Sequence, residues 1–159
     1  MKILYTAFKG KNNSSKILLD SINSDNKLYL TNSFKTSELE LQKELDKDYD
    51  IVISFGQAPL DSKTIKIETT AKGESEYITD YNYTDLYNKL NNDYNMIISN
   101  DAGNYLCNNI YYYGLKYIKD NNLKTKMIFI HIPKKFDIKK FLDTGGELLW
   151  QLKKKCIMK

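Results

Sequence analysis

Apolar positions along the 159 residues follow two rhythms, and each rhythm marks an element. Unbroken or every-other-residue apolar runs read as strands; apolar residues three and four apart read as helices. Met1–Phe8 reads as a first strand, with a polar loop over 7–13 at its end. Ser14 or Ser15 caps a helix carrying Ile17, Leu18, Leu19 and Ile22. Lys27–Thr31, with Leu28 and Leu30 alternating, is a second strand. Thr36 begins Thr-Ser-Glu-Leu-Glu, a capping arrangement, and the next helix holds Leu39, Leu41 and Leu45. Asp50–Phe55 is a continuous apolar strand ending in a turn, Gly56-Gln57-Ala58. Thr64–Thr69 alternates as a strand, Gly73–Tyr81 reads as a loop, and Thr84–Leu90 as a short helix. A strand over Tyr94–Ser99 contains Met96-Ile97-Ile98, which reads as buried. The strand Lys126–His131 is stopped by Pro133. A last helix opens near Asp137 with Ile138, Phe141, Leu142, Leu148, Leu149 and Leu152, and Gly145-Gly146 lies inside it.

Strands alternating with helices predict one α/β domain over 1–159, in three layers: a mostly parallel, twisted sheet with helices on both faces. Sites in such sheets form at the C-terminal ends of strands. Phe8 and its loop, Gln57, Cys107 (one turn into a helix) and His131 occupy such positions and can converge on one edge. Glu68 lies near His131 if its strand runs alongside.

Composition narrows the function classes. The formal charge is +4, from 24 basic and 20 acidic residues, and every basic residue is Lys. A nucleic-acid reader relies on Arg for bidentate and stacking contacts, and these Lys are mixed with acids, so no nucleic-acid partner is expected. Lys153-Lys154-Lys155 reads as a solvated helix end. No apolar run approaches the ~20 residues of a membrane span, so no membrane is expected. The N-terminus enters a strand at once, which does not read as a secretion signal. With two cysteines, this suggests a reducing, cytoplasmic setting. One His and two distant Cys build no typical metal site, and no cofactor is expected. Cys156 reads as inert, and Tyr111-Tyr112-Tyr113 as helix packing.

The stretch 99–113 carries the candidate chemistry. Cys107 follows a strand and a Gly turn, near the start of a helix whose apolar positions are Leu106, Ile110, Tyr113 and Tyr117. Unpaired N–H groups and the helix dipole there favour a thiolate and can hold an oxyanion. His131 is the only His, so any Cys–His chemistry must use it. The plain alternatives are a buried apolar Cys107, a satisfied core His131, a solvated Glu68 and Gln57 as a turn residue.

Ala102-Gly103-Asn104-Tyr105-Leu106-Cys107-Asn108-Asn109-Ile110-Tyr111-Tyr112 resembles the nucleophile motif of the pyroglutamyl peptidase I family of cysteine peptidases. Ile130-His131-Ile132-Pro133 resembles the family's His-Val-Pro segment, with His131 24 residues after Cys107 as in the family. Phe55-Gly56-Gln57-Ala58, Ile67-Glu68-Thr69-Thr70-Ala71 and the first strand through Phe8 resemble further family segments. The resemblance implies a phosphorylase/hydrolase-like α/β fold and removal of N-terminal pyroglutamyl residues from peptides. By carry-over, Cys107 is the nucleophile, His131 the general base and acid, and Glu68 the third triad member. Phe8, Tyr105 and Leu106 correspond to the apolar pocket walls, and Gln57 to the Gln of the family's turn. The chain departs from the family in four places. Lys9-Gly10-Lys11 stands where a second Phe is usual; Pro59-Leu60-Asp61 replaces Gly-Gly-Arg; the later Arg is absent; and only 39 residues lead from Glu68 to Cys107. The shortened segment is one the family uses in assembly, which leaves homo-oligomer formation open. The alternatives are a pseudoenzyme, a related cysteine amidohydrolase with altered specificity, and an interaction module whose Lys-rich surface meets an anionic partner.

Overall fold

The computed structural model describes residues 1–145. In chain order the elements are β1 (Ile3–Phe8), α1 (Ser14–Ser21), β2 (Lys27–Leu30), α2 (Phe34–Leu45), β3 (Ile51–Ala58), β4 (Thr64–Glu68), β5 (Thr70–Lys72) and β6 (Glu76–Ile78). They continue with α3 (Thr84–Leu90), β7 (Asn95–Ser99), α4 (Leu106–Asp120) and β8 (Lys126–Pro133). Residues 138–145 are helical, with Asp137 Oδ1 accepting from Lys140 N at 3.0 Å. Gly146, Leu148, Leu149, Leu152, Lys153-Lys154-Lys155 and Cys156 lie outside the described residues.

Six strands form one sheet in the order β2-β1-β3-β8-β4-β7. All pairings are parallel except β4 against β8. Helices cover both faces, as the alternation of strands and helices predicts. Because successive strand residues point to opposite faces, the register sorts the core into two halves. Ile3, Tyr5, Ile53, Phe55, Ile67, Ile128, Ile130 and Ile132 pack with Leu18 and Leu19 of α1, Leu86 and Leu90 of α3, and Phe141. Leu4, Phe8, Val52, Met127 and Phe129 pack with Leu41 and Leu45 of α2 and Leu106, Ile110 and Tyr111 of α4.

Five local expectations are corrected. Helix α1 is capped by Asn13, whose Oδ1 accepts from Ser15 N at 3.0 Å, rather than by Ser14 or Ser15. Helix α2 begins at Phe34 behind the cap Ser33, ahead of Thr36. Neighbouring Ser, Thr and Asn all have capping oxygens, so the loop path selects among them. The stretch 73–81 is not all loop, because β6 pairs antiparallel with β5. Strand β3 runs on through Gly56-Gln57-Ala58, which pairs with His131-Ile132-Pro133 rather than turning. Strand β7 also differs: it is an edge strand, with Ile97 38% and Ile98 42% exposed. A short apolar run reads alike at the centre and the edge of a sheet, and only pairing separates the two.

Candidate active site

The loop from β7 to α4 sets where Cys107 begins its helix. Ser99 Oγ accepts from Asp101 N at 3.1 Å, and Asp101 Oδ1 accepts from Gly103 N at 3.0 Å. Gly103 then takes a φ of 89°, a left-handed conformation costly for a residue with a Cβ. Asn109 N, bonded to Tyr105 O at 3.0 Å, closes the first helical turn. The N–H groups of Leu106, Cys107 and Asn108 precede that bond and lack helical acceptors.

From this turn the half-buried Cys107 reaches down to the sheet at Gly56. A Cβ built on Gly56 would lie 2.8 Å from Cys107 Sγ and 2.8 Å from the Phe129 ring. Only a glycine leaves room for both. Gly56 is the register partner of His131 on the adjacent strand, so His131, Phe129 and the sulfur share the face beneath α4. Glu68 stands opposite Phe129 on β4 and therefore projects on that face too.

Across the antiparallel β4–β8 pair, Glu68 Oε1 lies 2.8 Å from His131 Nδ1. Glu68 is 0% and His131 7% exposed. The carboxylate accepts the Nδ1 proton, which leaves the Nε2 lone pair as the imidazole's basic site. The ring is backed by Phe129, centroid to centroid 4.9 Å. Tyr111 donates its hydroxyl to the Glu68 backbone carbonyl at 2.8 Å and so ties α4 to the end of β4. Among the described residues, Glu68 Oε2 is buried without a hydrogen-bond partner.

The electrostatics of Cys107 work against the expected thiolate. Burial pushes its pKa from 9.0 up to about 12, and the Glu68 carboxylate pushes it the same way. Loss of hydration and the neighbouring carboxylate both favour the thiol over the thiolate. The thiol proton must leave as the sulfur reacts, to a nearby base.

The remaining predicted residues fall in different places. Phe8 (4% exposed) and Leu106 (7%) lie in the core on the cysteine's face. Tyr105 is 67% exposed and meets Phe34 edge-on at 5.5 Å, so it forms rim rather than closed wall. Gln57 is not brought to the cysteine. One residue past Gly56, it falls on the opposite face, where its Oε1 accepts from Ser14 N at 2.9 Å. Ser14 Oγ in turn donates to Pro133 O at 2.7 Å, so this pair fixes α1 to the ends of β3 and β8. Gly56 and Tyr111 were not singled out from sequence. A small residue within the apolar run before Gln57 was the one available signal for Gly56. Tyr111 carried none that separated it from its neighbours Tyr112 and Tyr113. Among the described residues, no three His, Cys, Asp or Glu gather as a metal site, and no helix is long and apolar enough to cross a membrane.

A cysteine at a helix start above a mostly parallel sheet, with a carboxylate-bonded histidine on the same face, is the make-up of an α/β cysteine hydrolase. The family model described as pyroglutamyl peptidase matches residues 60–140. A pyrrolidone-carboxylate peptidase of Thermosipho melanesiensis is 32% identical, with 84% of this chain and 83% of that protein covered. One from Brachyspira hyodysenteriae is 56% identical over 36 residues, 23% of this chain and only 18% of that protein. Among solved structures, the pyrrolidone carboxyl peptidase of Thermococcus litoralis superposes with a TM-score of 0.69 at 25% identity, covering 83% of this chain and 76% of its own. A Pyrococcus furiosus pyrrolidone carboxyl peptidase mutant gives 0.71 at 23% identity, covering 92% and 86%, and supports the fold. This chain belongs to the pyroglutamyl peptidase family, whose members are cysteine peptidases that remove N-terminal pyroglutamate.

Proposed function

We propose that this chain hydrolyses the bond after an N-terminal pyroglutamyl residue, with Cys107 as nucleophile, His131 as base and acid, and Glu68 as the group that orients His131. The observation that carries the reading is the 2.8 Å Glu68–His131 bond on the face where Cys107 Sγ overlies Gly56. His131 Nε2 takes the thiol proton as sulfur bonds to the pyroglutamyl carbonyl carbon. The N–H groups of Leu106, Cys107 and Asn108 receive the negative oxygen. As the C–N bond breaks, the imidazolium gives its proton to the leaving amine, and Glu68 stabilises the charged ring meanwhile. Water, deprotonated by the same Nε2, then attacks the thioester; pyroglutamate leaves and the thiol is restored. Phe8 and Leu106 form the apolar wall for the uncharged lactam, and Tyr105 its rim. Gln57 serves indirectly by fixing α1 beside the ends of β3 and β8.

The working unit in this reading is one domain over 1–159. It acts in the cytoplasm, where a catalytic thiol stays reduced. The high Cys107 pKa favours a second reading, a binding protein that has lost turnover. A fluorogenic pyroglutamyl amide separates the two. Hydrolysis by the native chain, abolished by at least about a thousandfold in Cys107→Ser, is the expected result. Equal inactivity of both, with no preferential iodoacetamide labelling of Cys107, defeats the peptidase reading.

A further inference from the structure

On the face of the sheet beneath α4, neighbouring strands set one residue each into a single row. His131 on β8 is paired with Gly56 on β3 and, on its other side, with Lys66 on β4. Lys66 is paired in turn with Ile97 on the edge strand β7. Phe8, two residues past the Thr6–Ser54 pair of β1 and β3, is level with Gly56. The row therefore runs Phe8, Gly56, His131, Lys66, Ile97. Directly opposed residues of neighbouring strands share a face, with Cβ atoms about 4.5–5.5 Å apart. The Lys66 side chain thus leaves the sheet beside that of His131, on the side away from the sulfur.

Lys66 is half-buried, and among the described residues its ammonium has no hydrogen bond, ion pair or aromatic ring against it. Glu68, two residues on and on the same face, does not hold it: the two form no ion pair, and Glu68 Oε1 lies 2.8 Å from His131 Nδ1. The sheet beyond Lys66 is open, with Ile97 38% exposed. An unpaired cation partly withdrawn from water favours an anion beside it, because attraction strengthens as the surrounding dielectric falls.

We infer that Lys66 is a specificity-determining residue that takes the α-carboxylate of the residue released, and so favours pyroglutamyl dipeptides. The inference rests on the peptidase reading above. In that reading the lactam lies against Phe8, the scissile carbonyl at Cys107 over Gly56, and the leaving nitrogen at His131, which protonates it. These positions follow the row in order, so the released residue continues onto Lys66. One residue of extended chain spans about 3.5 Å and one strand spacing about 4.8 Å, so the first carboxylate after the scissile bond is the group that meets Lys66. In a longer peptide an uncharged amide stands there instead.

The test compares kcat/KM for pyroglutamyl-alanine with that for its α-amide, in the full chain. The native protein favours the free carboxylate by roughly tenfold, the scale of one charge-assisted pair, and the ratio falls as salt is raised. Lys66→Met brings the ratio to about one, and Lys66→Arg, which keeps the charge, retains it. Each ratio is taken within one preparation, so a loss of folded protein in a variant cancels. A ratio unmoved by Lys66→Met, or no preference in the native chain, removes the role of Lys66 and leaves the peptidase reading standing. A larger advantage for pyroglutamyl-glutamic acid α-amide than for pyroglutamyl-alanine makes a side-chain carboxylate the ligand and overturns the choice of the α-carboxylate. Failure to cleave any of these substrates removes the peptidase reading and this inference with it.

Discussion

On the face beneath α1 and α3, the sheet presents Ile3, Ile53, Ile67, Ile128 and Ile130, hydrocarbon against Leu18, Leu19, Leu86 and Leu90. On the face beneath α2 and α4, the same strands start alike, with Leu4, Val52 and Met127, then change character towards their C-terminal ends. There Thr6 donates to Ser54 at 2.7 Å in the buried interior, Gly56 yields its space to a sulfur, and His131 meets Glu68. One face is mostly hydrocarbon, each fully buried Ile or Leu contributing about 1.5–3 kcal/mol. The other gives up part of that stabilisation to hold polar groups, tolerable because most of them are paired. Among the described residues each face carries one unpartnered buried oxygen, Glu68 Oε2 at the site and the Tyr94 hydroxyl on the opposite face. Strand alternation lets adjacent residues of one strand serve the two purposes separately, as Ile130 and His131 do.

Substitutions on the two faces sharpen this contrast. The largest effect on turnover is expected from Glu68→Gln, which keeps the shape but removes the charge that stabilises the imidazolium and brings an NH2 group that can donate to Nδ1 and select the wrong tautomer. A loss of about 10³–10⁴-fold in kcat is the expected result in a steady-state assay. The same variant removes the like charge beside the thiol, so its pKa moves down from about 12 while burial still holds it above 9.0. Ultraviolet thiolate absorbance across an alkaline titration reads this directly; an unchanged midpoint contradicts the assigned cause. The sign for stability follows. The unfolded chain releases this proton near 9.0 and the folded chain only near 12, so the contribution is whole below pH 9.0 and is lost as pH rises towards 12.

An intermediate effect is expected from Gly56→Ala. The new methyl must displace Cys107 Sγ or the Phe129 ring. Overpacking of this kind costs about 1–3 kcal/mol in chemical unfolding, and displacement of the nucleophile about a hundredfold in kcat. Full activity with native stability would show that the sulfur does not sit over Gly56. The smallest effect on turnover belongs to Ile53→Ala on the opposite face. It should lose about 2–5 kcal/mol of stability by denaturant titration, with activity per folded molecule unchanged. Comparable loss of kcat there would break the separation of the faces.

Much of the fold was legible because strands and helices write different periods. The β1, β2, β4 and α3 segments stand close to where their patterns put them. The edge position of β7 was not legible, since Met96-Ile97-Ile98 has the composition of a central strand, whereas among the described residues β7 pairs with β4 alone. Neither were β5 and β6, whose short strands carry too few alternations to register as a period. Within the site, Cys107 and His131 could be nominated from residue type and position, and Glu68 through the family resemblance. The route of Gln57 to α1 and the part played by Gly56 could not, because each depends on which face a residue takes after the strand pairs are set.

Local order thus decided the inventory: the elements, the helix start at Cys107 and a single histidine open to Cys–His chemistry. These follow from interactions a few residues long, which the chain states directly. Register across β3, β8 and β4 decided the rest. It put Glu68 against His131 across 63 residues of chain and turned Gln57 away. By burying the thiol it also raised the pKa that the helix position alone would lower. Burial and pairing are properties of neighbours brought together from afar, and no local reading of the chain contains them.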